Sequence, residues 1–304
     1  VNAKTRVQFK NRRTLVFFYI IYNSLQLLIY NFAKKKIDMA DKKKYRLGLA
    51  LSGGGAKGFA HVGVMKALDY FGLKPDIVAG VSAGSIMAAF YCGGAKPDDM
   101  LNLFAGIKVG DLTKVSIPSD GLFKFDKFKQ FLNDNLPIKR IEDLLIPTII
   151  CATNLDTYKE ELFTQGDLAD CVIASSSLPV IFKPAKVNGQ SFIDGGILHN
   201  MPSYALRDQC DYVLGVNVSP LDDITPFKST IADIAYRSYR LMTTHNSIPD
   251  LQLCDVVIQV DAMKSSSTFG INKMKDNMKE GYFTAMKTLI NSPLLNQLRD
   301  EQQQ

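Results

Sequence analysis

Two glycine-rich turns, each following a short apolar run and opening a helical pattern, restrict the fold more than anything else in this 304-residue chain. Residues 46–52 (Arg-Leu-Gly-Leu-Ala-Leu-Ser) lead into Gly53-Gly54-Gly55-Ala56-Lys57-Gly58, after which Val62, Met65, Leu68 and Tyr70 recur at helical spacing. Residues 76–82 (Asp-Ile-Val-Ala-Gly-Val-Ser) form the next apolar run, and residues 83–92 the next helix. A strand passed through a tight turn to a helix, twice in succession, makes two βα units, and such units demand a parallel sheet with helices packed on it.

The rest of the chain extends the pattern. Residues 97–107 read as a helix, 109–121 as an irregular loop, and 124–136 as an amphipathic helix with Phe125, Phe128, Phe131 and Leu132 on one side. Residues 147–153 read as a strand and 168–175 as a helix. In residues 185–193, Asn188-Gly189 signals a tight hairpin whose second arm ends at Asp194. Strands over 212–218 and 256–261, with helices over 231–245 and 272–291, complete an α/β fold with a mostly parallel central sheet flanked by helices. No linker of Pro, Gly or Ser divides residues 45–304, so they are expected to form one catalytic domain.

The net charge of +6 points to nucleic acid only until its location is considered. Residues 1–44 carry 11 Lys and Arg against 2 Asp, leaving 25 basic and 28 acidic residues in 45–304, so the body is near neutral and a nucleic-acid groove is not expected. The basic end flanks an uncharged stretch, residues 14–33, which has the length of a membrane span. Asn23, Ser24, Gln26 and Asn31 interrupt it, and its Phe, Tyr, Ile, Asn and Lys content is what AT-rich DNA upstream of a gene would encode. Residues 1–38 are therefore either a single-pass inner-membrane anchor or an extension translated ahead of a start at Met39. The second reading makes the protein cytoplasmic, with membrane association left open. Five widely spaced cysteines, without metal-ligand spacing, fit free thiols in a reducing compartment and no bound metal.

Gly80-Val81-Ser82-Ala83-Gly84 matches the nucleophile elbow, in which small residues two away on each side allow a sharp strand-to-helix turn that exposes a serine oxygen. By composition alone such a pentapeptide arises in roughly one chain in ten of this length. Its position between a strand and a helix is what raises it above a plain glycine turn. The backbone amides of Gly53, Gly54 and Gly55 can point at an anion, which in acyl transfer is the oxyanion of the tetrahedral intermediate. Gly53 to Gly58 also satisfy a dinucleotide fingerprint, but that motif wants an acidic residue at the end of the second strand, where Ser82 stands instead. A phosphate-binding loop fails too, because Lys57 precedes Gly58 and no Ser or Thr follows.

Ser82 needs a base, and histidine is scarce. His61 follows the glycine loop, where packing or capping is the expected role; His245 lies in a polar stretch and is expected at the surface. His199, five residues beyond Asp194, is the rival that would make a triad, and is otherwise a supporting residue. Asp194-Gly195-Gly196 alone reads as an ordinary turn. As the base, Asp194 should be partly buried, which would raise its pKa above the usual value near 3.9.

Taken together, the glycine loop, Gly80 to Gly84 and Asp194-Gly195-Gly196 resemble the patatin-like phospholipase family in order and spacing. The likeness continues in Ala60-His61-Val62-Gly63-Val64, in Ser177-Leu178-Pro179-Val180-Ile181-Phe182 and in Asn200-Met201-Pro202, and so spans about residues 46–218. The resemblance implies a three-layer fold and a serine–aspartate dyad, here Ser82 and Asp194. It places the oxyanion hole at Gly53, Gly54 and Gly55, with Gly58, Gly80, Gly84, Gly195 and Gly196 supporting the motifs. It further implies an acyl-enzyme intermediate, phospholipid or lysophospholipid ester substrates, a membrane surface as a further partner, and no cofactor. Lys57 stands where relatives often carry Arg, which leaves that side chain's role open. The ordinary α/β-hydrolase fits less well, since it places several strands before its elbow and a catalytic histidine late. A soluble esterase or thioesterase with the same dyad, and a non-catalytic membrane-associated scaffold, are the alternative functions. Residues 112–131, with Leu122, Phe123, Phe125 and Phe128, are either a lid over the site or a packed helix with a loop.

Overall fold

The structure is a computed structural model that describes residues 43–104, 114–115, 123–221, 230–266 and 271–302. In chain order its elements begin with β1 (Tyr45–Leu51), α1 (Phe59–Phe71), β2 (Ile77–Val81), α2 (Ala83–Cys92) and α3 (Pro97–Phe104). After these come α4 (Asp126–Asn135), β3 (Thr148–Asn154), β4 (Lys159–Phe163), α5 (Leu168–Ser176), β5 (Ala185–Val187) and β6 (Gln190–Asp194). The chain continues through α6 (Tyr204–Arg207), β7 (Cys210–Asn217), α7 (Ile231–Leu251), β8 (Val256–Gln259), α8 (Met274–Ile290) and α9 (Pro293–Gln302). Residues 44–304 form one unit by their internal contacts.

Strand residues alternate between two cores. Leu47, Leu49 and Leu51 of β1, Val78 of β2, Ile150 of β3, and Leu214 and Val216 of β7 enter one, shared with α1, α2 and α8. Ala50, Ile77, Ala79, Val81, Ile149, Cys151 and Val213 enter the other, shared with Leu206 of α6 and Leu251 at the end of α7. Successive side chains of a strand point to opposite faces, so apolar runs without alternation are what a sheet covered on both faces requires. The sheet runs β8-β7-β1-β2-β3-β6-β5, with β4 also paired to β3. Its first five strands are mutually parallel, while β4 and β6 pair with β3 antiparallel and β5 pairs with β6 antiparallel. On the first face α1 and α8 meet backbone to backbone: a Cβ on Gly63 would lie 1.9 Å from the Met278 carbonyl oxygen, and one on Gly281 2.0 Å from that of Ala60.

The expected mostly parallel sheet flanked by helices is the architecture found. The Asn188-Gly189 hairpin forms with both residues at positive φ, 50° and 82°, the conformation a two-residue turn of this kind demands. Three elements depart from expectation: β4, α6 and α9 were not foreseen. The anchor or extension at residues 1–38 lies outside the described residues, as do 105–113 and 116–122, which include most of the loop and the tip of the candidate lid. Within that loop Lys114–Val115 pairs antiparallel with Phe123–Lys124, so it is not wholly irregular. The helical part of the lid candidate is core: Phe128 and Leu132 are buried, and Phe125 stacks on Phe182 with ring centroids 3.8 Å apart.

Candidate functional site

Sheet register brings Ser82 and Asp194 together across 112 positions of sequence. β3 pairs with β2 through residues 148–151, with β6 through 152–154 and with β4 through 150–154. The β4 pairing overlaps both of the others, so β2 and β6 must share the opposite edge of β3. They run toward each other along that edge and end face to face. Val81 is level with Cys151 and Asp194 with Ala152, the next residue. Ser82, one step past Val81, therefore emerges where β6 stops.

At Ser82 the backbone turns with φ 51° and ψ −121°, a region that non-glycine residues adopt only where their surroundings hold them. The Ser82 N–H donates to Ser175 Oγ at 2.9 Å, Ser175 Oγ–H donates to the Cys151 carbonyl at 2.6 Å, and Ser85 Oγ–H donates to the Ser82 carbonyl at 2.6 Å. Close backbone approach accounts for the flanking glycines. A Cβ on Gly80 would lie 2.6 Å from the Gly84 carbonyl oxygen, and one on Gly84 only 2.2 Å from that of Leu51. Gly58 packs on Ala83 and Gly195 on the Cys151 carbonyl at similarly short range.

Asp194 is fully buried. Its Oδ1 accepts the Gly196 N–H at 2.8 Å, while Oδ2 is buried with no hydrogen bond closed upon it. Burial raises the carboxyl pKa to about 6, against the opposing pull of the Ser82 hydroxyl, the Gly196 amide and the Tyr239 hydroxyl, each of which favours the charged form. An oxygen without a closed hydrogen bond, with a serine hydroxyl close by, is an acceptor in waiting; such bonds are often long before substrate binds.

The glycine loop lies against the same point. A Cβ on Gly53 would stand 2.4 Å from Asn200 Oδ1 and 3.2 Å from Ser82 Cβ. Gly55 sits at φ 58°, where a side chain would be strained. The Gly53 amide donates to the Asn200 carbonyl at 3.2 Å, whereas no acceptor faces the Gly54 or Gly55 amide among the described residues. Of the three loop amides, that of Gly53 thus has a partner within the protein.

His61 is buried, its Nε2 bonded to the Ser52 carbonyl at 2.8 Å, and burial lowers its pKa to about 4, so it serves the loop as a neutral ring. His199 Nδ1 bonds Asp250 Oδ2 at 2.9 Å and its ring packs on Tyr204. Asp250 holds the His199 pKa above its ordinary value. The Nδ1 side of His199 is therefore engaged by α7. His245 is exposed, though within α7 rather than at its end. Lys57 is buried.

Four residues around the pair were not singled out from sequence: Ser175, Asn200, Tyr239 and Asn246. Asn200 belongs to Asn200-Met201-Pro202, already noted for its likeness to the family, and that was the one signal available. The others act through tertiary contacts.

Fold and elbow together define an α/β protein of the serine-hydrolase type. Residues 49–207, just over half of the chain, match the family described as Patatin-like phospholipase; the chain belongs to this family of lipid ester hydrolases. It is 30% identical over 192 residues to Lysophospholipase NTE1 of Candida glabrata, covering 60% of this chain and 11% of that one. To Lysophospholipase NTE1 of Saccharomyces cerevisiae it is 27% identical over 253 residues, 77% of this chain and 15% of the relative. Neuropathy target esterase sws of Drosophila melanogaster is 28% identical over 223 residues, 67% and 15% of the two chains. The chain spans a small fraction of the length of these relatives. VipD from Legionella pneumophila shares the fold, with a TM-score of 0.54 at 16% identity over 81% of this chain and 66% of that one. No helix among the described residues is long and apolar enough to cross a membrane.

Proposed function

We propose that residues 45–304 form a lipid acyl hydrolase that cleaves carboxylic esters of lysophospholipids or phospholipids with Ser82 as nucleophile and Asp194 as base. The observation that carries this reading is the buried Asp194 carboxylate, one oxygen of it without a closed hydrogen bond, beside the hydroxyl of a serine held in a strained elbow. Asp194 takes the Ser82 proton as Oγ attacks the ester carbonyl. The tetrahedral oxyanion is held by the Gly54 and Gly55 amides, each such donor being worth about 10²- to 10³-fold in rate. Collapse expels the alcohol, which leaves with the proton from Asp194. Water, deprotonated by the same carboxylate, then attacks the acyl-Ser82 ester, and Ser82 departs reprotonated with release of a fatty acid.

The lipid substrate rests on the family and on relatives named lysophospholipases. A lipid substrate brings its membrane or micelle surface as a partner. The test is hydrolysis of a p-nitrophenyl ester and of a lysophospholipid by the wild type, Ser82→Ala, Asp194→Asn and His199→Ala. The first two variants should be inactive and the third should keep most activity. Equal loss in His199→Ala would replace the dyad with a triad, and turnover of the soluble ester alone would favour an esterase or thioesterase.

A further inference from the structure

Helix α7 meets the turn after Asp194 at two places. Asn246 Nδ2 donates to the carbonyls of Gly196 at 2.8 Å and Ile197 at 2.9 Å, while its Oδ1 accepts the Asn200 N–H at 3.2 Å. Seven residues earlier, two turns back on the same helix face, Tyr239 brings its hydroxyl to the same turn. The position a Gly196 Cβ would occupy lies 3.2 Å from Tyr239 Oη and 3.0 Å from Asp194 Oδ1. Asn246 fixes the backbone of the turn, and Tyr239 reaches the carboxylate it carries.

A carboxylate tied through one oxygen keeps freedom about χ2, a broad two-fold torsion. Among the backbone amides of the described residues, that of Gly196 ties Oδ1 of Asp194, while Oδ2 has no closed hydrogen bond. A second donor would limit that freedom and aim the other oxygen. We propose that Tyr239 is a positioning residue, whose hydroxyl donates to the Asp194 carboxylate and holds its free oxygen toward Ser82. This rests on the serine–aspartate reading above and adds to it a residue from a helix that the family match at 49–207 does not reach.

The groups facing the carboxylate are the Ser82 hydroxyl from the elbow, the Gly196 amide from its own turn and Tyr239 from α7. Around Tyr239 stand Arg240, which favours a phenolate, and Tyr236 and Asp194, which oppose one. The Arg240 guanidinium is engaged with Ser219 Oγ at 2.5 Å and the Pro220 carbonyl at 2.6 Å. Burial and the Asp194 charge together push the Tyr239 phenol well above its ordinary value, so it stays a proton donor throughout the working range.

The experiment is kcat and KM against pH for the full chain and for Tyr239→Phe, which keeps the ring, with melting temperatures alongside. Loss of a donor to the ionised carboxylate should move the acid limb of kcat up by about one pH unit. The plateau should fall about 10-fold through lost orientation, with KM nearly unchanged. A wild-type limb and plateau, or a loss that follows the melting temperature with the limb unmoved, would overturn the proposal. Should Tyr239→Phe not fold, 2,3-difluorotyrosine at position 239 strengthens the donor and should move the limb downward; an unmoved limb there also overturns it. Ser82→Ala and Asp194→Asn separate the two levels. If either keeps activity, the dyad itself falls; if both are inactive while Tyr239→Phe has the wild-type profile, the dyad stands and Tyr239 is only packing.

Discussion

Asp194→Asn should inactivate the protein and stabilise it, by an amount that depends on pH. The folded chain holds the Asp194 proton with a pKa of about 6, against 3.8 for an unperturbed aspartate. Because the folded state binds this proton more tightly, wild-type stability falls as pH rises from 3.8 toward about 6 and then levels. At about 1.36 kcal/mol per tenfold change in proton affinity, holding the buried charge costs about 3 kcal/mol near pH 8 and roughly half that near pH 5. Asparagine carries no charge. Its carbonyl can keep the Gly196 N–H bond, and its amide finds acceptors in the Ser82 and Tyr239 hydroxyls, so little new is left unpaired. Urea denaturation followed by circular dichroism should therefore show the variant more stable by up to about 3 kcal/mol near pH 8, with roughly half that gain near pH 5. A gain that is the same at both pH values, or a loss near pH 8, would refute the argument that burial raises this carboxyl.

Gly84→Ala, whose Cβ would stand 2.2 Å from the Leu51 carbonyl oxygen, should fail to give soluble folded protein, read from yield and circular dichroism. Gly53→Ala presses on Asn200 Oδ1 and Ser82 Cβ; kcat on a p-nitrophenyl ester should drop at least 10-fold while the melting temperature changes less than in Gly84→Ala. Asn246→Ala strips donors from two carbonyls and an acceptor from the Asn200 amide, and should lower unfolding free energy by about 2–3 kcal/mol in urea. In His199→Gln, activity should persist. The stabilisation that Asp250 gives protonated His199 is complete below the ordinary histidine pKa of 6.5 and disappears as pH rises through the raised folded value, so the variant's melting deficit should shrink on going from acid to alkaline buffer.

The elements that position the site were legible because their signals are local. The elbow's glycines answer to backbone atoms within a few residues or on the adjoining strand, and Asn188-Gly189 carries its turn conformation in the two residue types themselves. β4 was missed because Lys159, Glu160 and Glu161 lie on an exposed strand with little apolar alternation to read. Tyr239 and Asn246 left no trace for a different reason. A tyrosine and an asparagine two turns apart on a helix are unremarked until the helix docks, and their partners lie roughly 45–50 positions back in the chain. Ser175 is likewise an ordinary small residue of α5 until sheet and helix place it under the elbow, 93 residues from Ser82. Sequence also offered all three loop amides alike, because the claim of the Asn200 carbonyl on Gly53 arises only in the folded chain.

The meeting of β2 and β6 end to end on one edge of β3 has a bearing on how such a protein can vary. The separation of Ser82 from Asp194 is measured out in ladder steps along β3, not in loop length. Whatever the chain inserts or deletes between Cys92 and Thr148, or between Asn154 and Leu168, Val81 and Asp194 remain one rung apart, with Ser82 the next residue after Val81. Those connecting segments are thus free to drift while the placement of Ser82 beside Asp194 keeps its ruler. New substrate preferences within this architecture should arise by exchange of those connecting segments, with the reaction itself left untouched.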